Sequence, residues 1–189
     1  MMKLVASVPC SYDLWPTPVG WLGLVADHGL VLEIVYRPEQ EEVRSIIRRA
    51  YPQAQADPEA TAVARQQIEE YFQGKRRQFD LPLDWNRLPP FAVAILRQLV
   101  EVPSGETVTY GELAALAGHP RAARAVGRVM ATNPFPLVVP CHRVVGAGLR
   151  LTGYSGGEGL TTKAWLLRFE GVAEAHLRIP GEKKSAAKI

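Results

Sequence analysis

The pattern of apolar positions near the N-terminus predicts a β-hairpin. Two runs rich in Val, Leu and Ile, residues 20–26 and 30–36, flank the sequence Asp27-His28-Gly29. Two β-rich runs around a short turn that contains glycine are typical of a hairpin, so His28 is interpreted as a turn residue rather than a ligand. Residues 10–18, just before the hairpin, show no regular pattern, and we expect them to be irregular.

Two segments with helical spacing follow the hairpin. Apolar residues recur at helical intervals over 41–51, before Pro52, and over 58–73, before Gly74. Together with the hairpin they predict a small α/β domain over residues 1–82, in which no catalytic constellation is visible.

Pattern and composition also divide the rest of the chain. The proline-rich residues 83–89 are interpreted as a linker, and residues 176–189 as a disordered tail. Residues 90–175 carry mainly helical patterns, from Pro90 to a last predicted helix over 160–170. The expected fold class is therefore α/β (α+β), with a small N-terminal α/β domain and a mainly helical C-terminal domain.

The middle of the second domain has the pattern of a helix-turn-helix. Thr109, followed three residues later by Glu112, is a capping-box pattern, so a helix is expected over 110–118, where a glycine ends it. A second helix over 121–130 follows directly. A helix, a glycine turn and a helix at this spacing are typical of a helix-turn-helix.

The second of these helices carries an unusual charge pattern. At about 100° per residue, Arg121, Arg124 and Arg128 share one face, whereas the opposite face, which includes Ala125, is small and apolar. A solvated face is the ordinary explanation of such a charge run. Three arginines without any acidic residue in the helix favour contact with phosphates or bases.

Composition excludes several classes of protein. The chain has 189 residues, 47% of them hydrophobic, and no apolar run approaches the roughly 20 residues of a membrane helix. Two cysteines far apart in sequence indicate no disulfide framework, so a reducing cytoplasm is expected. Only Cys10 and His28 are candidate metal ligands in the N-terminal part, and we predict no metal.

Net charge is −2 over residues 1–82 and +5 over 83–189, so the second part is more suited to a polyanion.

Residues 137–145, Leu-Val-Val-Pro-Cys-His-Arg-Val-Val, carry the candidate chemistry. We expect a buried strand that ends at Pro140 and presents Cys141 at a turn or helix start. A thiol in that position, beside His142 and Arg143, is expected to ionise more readily than a free one. The alternative is a buried structural thiol, and these nine residues alone do not decide between the two.

Two further features are candidates for a site. The sequence Gly153-Tyr154-Ser155-Gly156-Gly157 suits the lid of a pocket, because glycines allow close backbone approach, although a plain surface turn is the alternative. An acidic side chain in the final turn of the last predicted helix, Glu170, opposes the helix dipole. That placement indicates another purpose for this acid, unless it is simply a surface residue.

Five motifs occur in order along the second half of the chain. They are Thr-Tyr110-Gly-Glu-Leu, Ala-Ala-Arg124-Ala-Val-Gly, Asn133-Pro-Phe-Pro, Val-Pro-Cys141-His142-Arg143-Val-Val and Tyr154-Ser155-Gly-Gly. Together they resemble the O6-alkylguanine-DNA alkyltransferases, the suicide DNA-repair proteins also called methylated-DNA–protein-cysteine methyltransferases. The close match covers residues 88–171, and the first 80 or so residues match only in general layout.

The resemblance implies that the protein binds double-stranded DNA containing O6-alkylguanine. The helix-turn-helix would lie in the minor groove and the damaged base would rotate out of the stack. Arg124 would fill the vacated space and Tyr110 would push on the flanking phosphate, while Arg121, Arg128 and Ala125 would lie at the DNA. No cofactor is implied, and we expect a monomer.

The resemblance also implies the pocket for the flipped base. The Tyr110 hydroxyl would donate to the guanine ring, and the backbone carbonyls of Cys141 and Val144 would accept from its exocyclic amine. Ser155 and Gly156 would lie near O6, and Pro136 and Tyr154 would lie along the alkyl group. Asn133 would fix the turn before the active-site strand.

In the implied reaction, Cys141 attacks the alkyl carbon and keeps the alkyl group, so each molecule reacts once. His142 would act through a water molecule, with Glu170 orienting its imidazole. A damage sensor of the alkyltransferase-like class is the binding-only alternative, but those proteins replace the cysteine. A cysteine hydrolase is a second alternative, disfavoured because an adjacent cysteine and histidine do not form the usual dyad.

The sequence departs from the family pattern at three places. Ala92 stands where relatives commonly have a polar residue, and Ala131-Thr132 where they often have a basic residue and glycine. Both differences imply weaker DNA contacts. Glu158-Gly159 is extra length before the last helix, which puts the range of alkyl groups accepted in doubt.

Overall fold

The computed structural model describes residues 10–173, and the N-terminal part of this range is built on one sheet. Its four strands lie in the order β3-β2-β1-β4. They span Ser11–Thr17 (β1), Gly20–Asp27 (β2), Leu30–Arg37 (β3) and Gln55–Ala56 (β4). β2 and β3 form the predicted hairpin, and His28 and Gly29 make its turn at φ 47° and 84°. The predicted hairpin is therefore confirmed.

The prediction that residues 10–18 are irregular is wrong, because they contain β1. This strand pairs antiparallel with β2 along its full length, and Pro16 lies opposite Trp21. On its other side β1 pairs only through Ser11 and Tyr12, with β4. Pro16 therefore lies where β1 has a free edge, the position at which a strand tolerates a residue without an N–H donor.

Two helices accompany the sheet. Helix α1, Gln40–Ala50, packs the buried side chains of Val43 and Ile47 against Val25 and Val35 of the sheet. Helix α2, Ala62–Phe72, begins four residues later than predicted, because residues 58–61 form a turn instead.

The expected linker packs against both parts of the protein. Leu83 forms an isolated parallel bridge with Val31 of β3, and a 3₁₀ turn follows at Trp85–Arg87. The Trp85 ring makes an edge contact with the ring of Phe135, with 5.5 Å between the centroids.

The C-terminal part is mainly helical, in agreement with the predicted fold class. Its elements are α3 (Pro90–Val100), β5 (Val108–Thr109), α4 (Tyr110–Leu116), α5 (Ala123–Ala131), a 3₁₀ turn (Cys141–Arg143), β6 (Val144–Val145) and α6 (Leu160–Phe169). Thr109 and Glu112 form the predicted capping box at the start of α4. Helices α4 and α5 are joined through a turn at Gly118, whose φ is 81°. In the described residues, no helix has the length and hydropathy of a membrane span.

The buried strand expected before Cys141 is absent, and its residues form a turn. Leu137 has a φ of 72°, and the Val139 amide donates to the Phe135 carbonyl at 2.7 Å. The Asn133 side chain fixes this turn, because its amide donates to the Val139 carbonyl and its oxygen accepts from the Phe135 amide. Apolar residues fill the core in either conformation, so the run of hydrophobic letters could not distinguish them.

One apolar cluster extends through both parts of the chain. It joins side chains of the sheet and α2 to those of α3, α4, α5 and α6. Where α2 meets α6, aromatic rings contact one another, with Tyr71 and Phe169 at 5.4 Å and Phe72 and Trp165 at 6.3 Å between centroids. The N-terminal part is therefore packed directly against the helix that carries Glu170 at its end.

Candidate active site

Cys141, His142 and Glu170 lie together in the interior. Cys141 begins the 3₁₀ turn after Pro140 and is 7% exposed, whereas His142 is completely buried. His142 Nε2 lies 2.9 Å from Glu170 Oε1, and a carboxylate only accepts, so Nε2 carries the proton and donates. The other ring nitrogen, Nδ1, is buried without a hydrogen-bond partner in the part of the chain that the structure describes. His142 therefore keeps one ring nitrogen as a proton acceptor.

The Glu170 carboxylate is held by side chains from three directions. Arg143 binds it in bidentate fashion, with Nε donating to Oε2 and Nη2 to Oε1, each at 2.8 Å. The Tyr71 hydroxyl, from α2, donates to Oε1 at 2.8 Å. Burial acts to raise the pKa of Glu170, but the hydrogen bonds from His142 and Arg143 outweigh it and hold that pKa well below its ordinary value. The acid that opposes its own helix dipole is thus stabilised by Arg143 and its neighbours.

Burial dominates the protonation of the cysteine and the histidine. It raises the pKa of the Cys141 thiol, against smaller opposite effects of Asn133 and Lys163. The same burial lowers the pKa of His142, although Glu170 opposes it, so the imidazole is neutral. The expectation that Cys141 ionises more readily than a free thiol is therefore wrong for the protein without substrate, since a three-residue 3₁₀ turn does not offset desolvation.

Lys163 is a further buried cation in this active site. It is fully buried, and its ammonium donates to the carbonyls of Val144 at 2.6 Å and Thr152 at 3.0 Å. Burial lowers its pKa to about 8, although Cys141 acts in the opposite direction. Sequence reasoning missed Lys163 and also Tyr71, because each lies on a helix whose pattern indicated only packing.

A cavity of about 690 Å³ opens beside Cys141, between the two parts of the protein. Its wall contains most of the residues that the sequence assigned to the pocket, namely Tyr110, Asn133, Pro136, Tyr154, Ser155 and Gly156. Val144 does not line the cavity: it is fully buried, and its carbonyl accepts from Lys163. The structure thus brings the predicted pocket together with the exception of Val144.

Tyr110 lies where the helix-turn-helix meets the cavity. It is the first residue of α4, and its ring lies about 4 Å from where a Cβ on Gly127 of α5 would stand. Its hydroxyl is 3.5 Å from the Thr152 carbonyl, a long distance for a hydrogen bond, so this hydroxyl remains available to a ligand.

The arginines form a separate, exposed face. Arg124 and Arg128 project from α5, and Arg121 lies in the turn before it, because α5 begins two residues later than predicted. None of them lines the main cavity, although Arg128 and Ala125 border a smaller groove beside α3. The opposite face of α5 is buried through Val126 and Val129.

The described residues contain no group of three or more His, Cys, Asp or Glu side chains that could hold a metal. Cys10 is buried and His28 is an exposed turn residue whose Nδ1 lies 2.6 Å from Asp27 Oδ1.

The geometry first defines a class: an α/β protein in which a buried cysteine, backed by a histidine–glutamate pair, faces a cavity beside a helix-turn-helix. Two family models for 6-O-methylguanine DNA methyltransferase match this chain, the DNA binding domain over residues 90–172 and the ribonuclease-like domain over 37–85. The chain belongs to the 6-O-methylguanine DNA methyltransferase family.

Individual relatives agree with this assignment. The methylated-DNA–protein-cysteine methyltransferase of Mycobacterium tuberculosis is 41% identical over 159 residues, which are 84% of this chain and 91% of the relative. The constitutive enzyme of that name from Bacillus subtilis is 43% identical over 112 residues, 59% of this chain and 67% of the relative. The crystal structure of M. tuberculosis O6-methylguanine methyltransferase matches with a TM-score of 0.73 at 36% identity, covering 85% and 92% of the two chains. That of M. tuberculosis OGT in complex with DNA matches with a TM-score of 0.72 at 36% identity and the same coverage.

Proposed function

We propose that this protein repairs DNA by transferring the alkyl group of O6-alkylguanine in duplex DNA to its own Cys141, once per molecule. The observation that carries the proposal is the position of Cys141 at a cavity, next to the His142–Glu170 pair and beside a helix-turn-helix with an arginine face. The relatives are named methylated-DNA–protein-cysteine methyltransferases, and one solved neighbour contains DNA.

The chemistry begins with removal of the thiol proton. Because burial raises the pKa of Cys141, the thiol proton needs an acceptor when the sulfur attacks the substrate. Neutral His142 supplies that acceptor through its unpaired Nδ1, by way of a water molecule, while Nε2–H stays bonded to Glu170. The ionised Glu170 stabilises the imidazolium that forms.

Transfer then exchanges one covalent bond for another. The sulfur–carbon bond forms as the carbon–O6 bond breaks, and the electron pair of the broken bond passes into the purine. The purine takes up one proton from the Tyr110 hydroxyl. The proton that Cys141 gave to His142 returns to Tyr110 through water, so that no proton is gained or lost overall. The thioether offers no route back, so the protein is consumed.

The damaged base must leave the DNA duplex to reach Cys141, since this residue is only 7% exposed. Helices α4 and α5 bind the minor groove, Arg124 occupies the space vacated by the base, and Tyr110 acts on the flanking phosphate. Arg121, Arg128 and Ala125 contact the DNA around this point. Within the cavity, Ser155 and Gly156 lie near O6, and Pro136 and Tyr154 lie along the alkyl group.

The organisation of the chain follows the same proposal. The proposed division is the one expected from the sequence, an N-terminal α/β domain (1–82), a connecting segment (83–89) and the DNA-binding and active-site domain (90–175), in a monomer; the structure describes residues 10–173 of it. The expected disordered tail, 176–189, lies outside the described residues. Both Cys10 and Cys141 are free thiols, which supports a cytoplasmic location.

A duplex with a labelled methyl group on O6-methylguanine tests the function. Label should move to the protein and saturate at one equivalent, and Cys141→Ala should bind the duplex without accepting label. Tight binding with no transfer by the parent protein would instead favour the damage-sensor class.

A further inference from the structure

A tyrosine from the N-terminal part reaches the cavity that contains Cys141. Tyr36 is the penultimate residue of β3. It is 1% exposed and belongs to the apolar cluster that extends through both parts of the chain. It lines the same cavity as Cys141 and Tyr154. The second strand of the hairpin thus delivers an aromatic ring to a cavity that residues of both parts of the protein line.

Tyr36 meets the 153–157 loop at three residues, Tyr154, Gly156 and Gly157. Its hydroxyl is hydrogen-bonded to that of Tyr154, and the two ring centroids are 6.4 Å apart. The Gly157 amide donates to the Tyr36 carbonyl at 3.2 Å. Between these contacts, a Cβ added to Gly156 would overlap the Tyr36 ring, lying 2.7 Å from its Cε2 atom. The loop is therefore fitted against this ring with no spare space.

The position of the ring matters for the alkyl group. In the proposed reaction that group lies between Cys141 and the side of the cavity formed by Pro136 and Tyr154. Tyr36 contacts Tyr154 and lines the same cavity, so an alkyl group that presses on this wall can extend further only if one of the two rings moves. Both are packed, and Tyr36 is almost completely buried, so such a movement would disturb the core.

We propose that Tyr36 determines the size of the alkyl group that the protein accepts, as the part of the wall that contacts Tyr154, and limits efficient transfer to small groups. This inference rests on the proposed alkyl transfer. It assigns the N-terminal part a direct share in substrate selection, in addition to its packing against α6.

The test compares transfer rates from two duplexes, one with O6-methylguanine and one with O6-benzylguanine, and uses the benzyl-to-methyl ratio as readout. Tyr36→Leu removes the ring and should raise the ratio by at least about tenfold, the scale on which one methylene in an apolar pocket is discriminated. Tyr36→Phe keeps the ring and should leave the ratio close to that of the parent. Val25→Ala, a buried change on the sheet face against α1, is the control for destabilisation and should leave it unchanged.

An unchanged ratio in Tyr36→Leu, or an equal fall of both rates, would overturn the proposal, because Tyr36 would then serve only the fold. A rise in Tyr36→Phe as large as in Tyr36→Leu would also contradict a wall formed by the ring. If Tyr36→Leu does not fold, Tyr36→Met, which fills space flexibly, must show the same rise. Failure of the parent protein to accept methyl would instead refute the proposed function, so the two failures are distinguishable.

Discussion

Replacing Glu170 by Gln tests the buried charge cluster behind Cys141. The substitution keeps the size of the side chain but removes its charge, and leaves the Arg143 guanidinium, 5% exposed, without a counter-ion. The carboxylate accepts hydrogen bonds from three side chains, those of Tyr71, His142 and Arg143. In the variant, at least one of these donors would face the new amide NH₂, which is also a donor. Breaking one side of a buried pair costs about 3–5 kcal/mol.

Urea unfolding at pH 7 measures this loss, which is a large part of a typical total of about 5–15 kcal/mol. The folded pKa of Glu170 is depressed, so its contribution is present above the unfolded value of about 4.3 and is lost as pH falls through the folded pKa. Glu170→Gln should lack this acid-dependent part. Its alkyl-transfer rate should also fall, by roughly 100-fold, the lower end of what a general base contributes.

The matched control is Glu101→Gln, which removes a charge from an exposed position after α3. Surface changes of this kind usually stay within about 0.5 kcal/mol. If Glu170→Gln were no less stable than this control and kept its acid dependence, the reasoning about the cluster would be refuted.

Three further predictions concern single residues. Tyr71→Phe should cost about 1.5–3 kcal/mol of unfolding free energy in urea, as expected for a buried hydrogen bond to the charged Glu170, and a loss no greater than that of Tyr12→Phe would contradict this. Arg124→Ala should slow repair of duplex DNA far more than reaction with the free modified base, whereas equal losses in both assays exclude the role of filling the vacated space. Alkylation of Cys141 by iodoacetamide should have its pH midpoint above that of a free thiol, about 8.5, because burial raises its pKa; a midpoint below 7 would show a stabilised thiolate.

Local sequence signals were sufficient for much of the helical half. The capping box of Thr109 and Glu112 and the turn glycine Gly118 predicted the helix-turn-helix, because each acts on residues within one helical turn. The prediction of a strand before Cys141 was wrong for the opposite reason. Its conformation depends on hydrogen bonds of the Asn133 side chain, which a count of apolar residues does not contain.

The parts of the site that sequence reasoning missed are contacts between distant segments. Tyr71 lies 99 residues from Glu170, and Tyr36 lies 118 residues from Tyr154. Both tyrosines stand in patterns that indicate only a packing face. The protonation of Cys141 was also predicted with the wrong direction, because neighbouring residues are visible in a sequence whereas the depth of burial is not.

Intact mass and peptide mapping after incubation with an O6-methylguanine duplex test the central claim most directly. The account predicts one methyl group per molecule, located on Cys141, with no further gain when more duplex is added. A methyl group on another residue, or tight binding of the duplex with no change in mass, would contradict it.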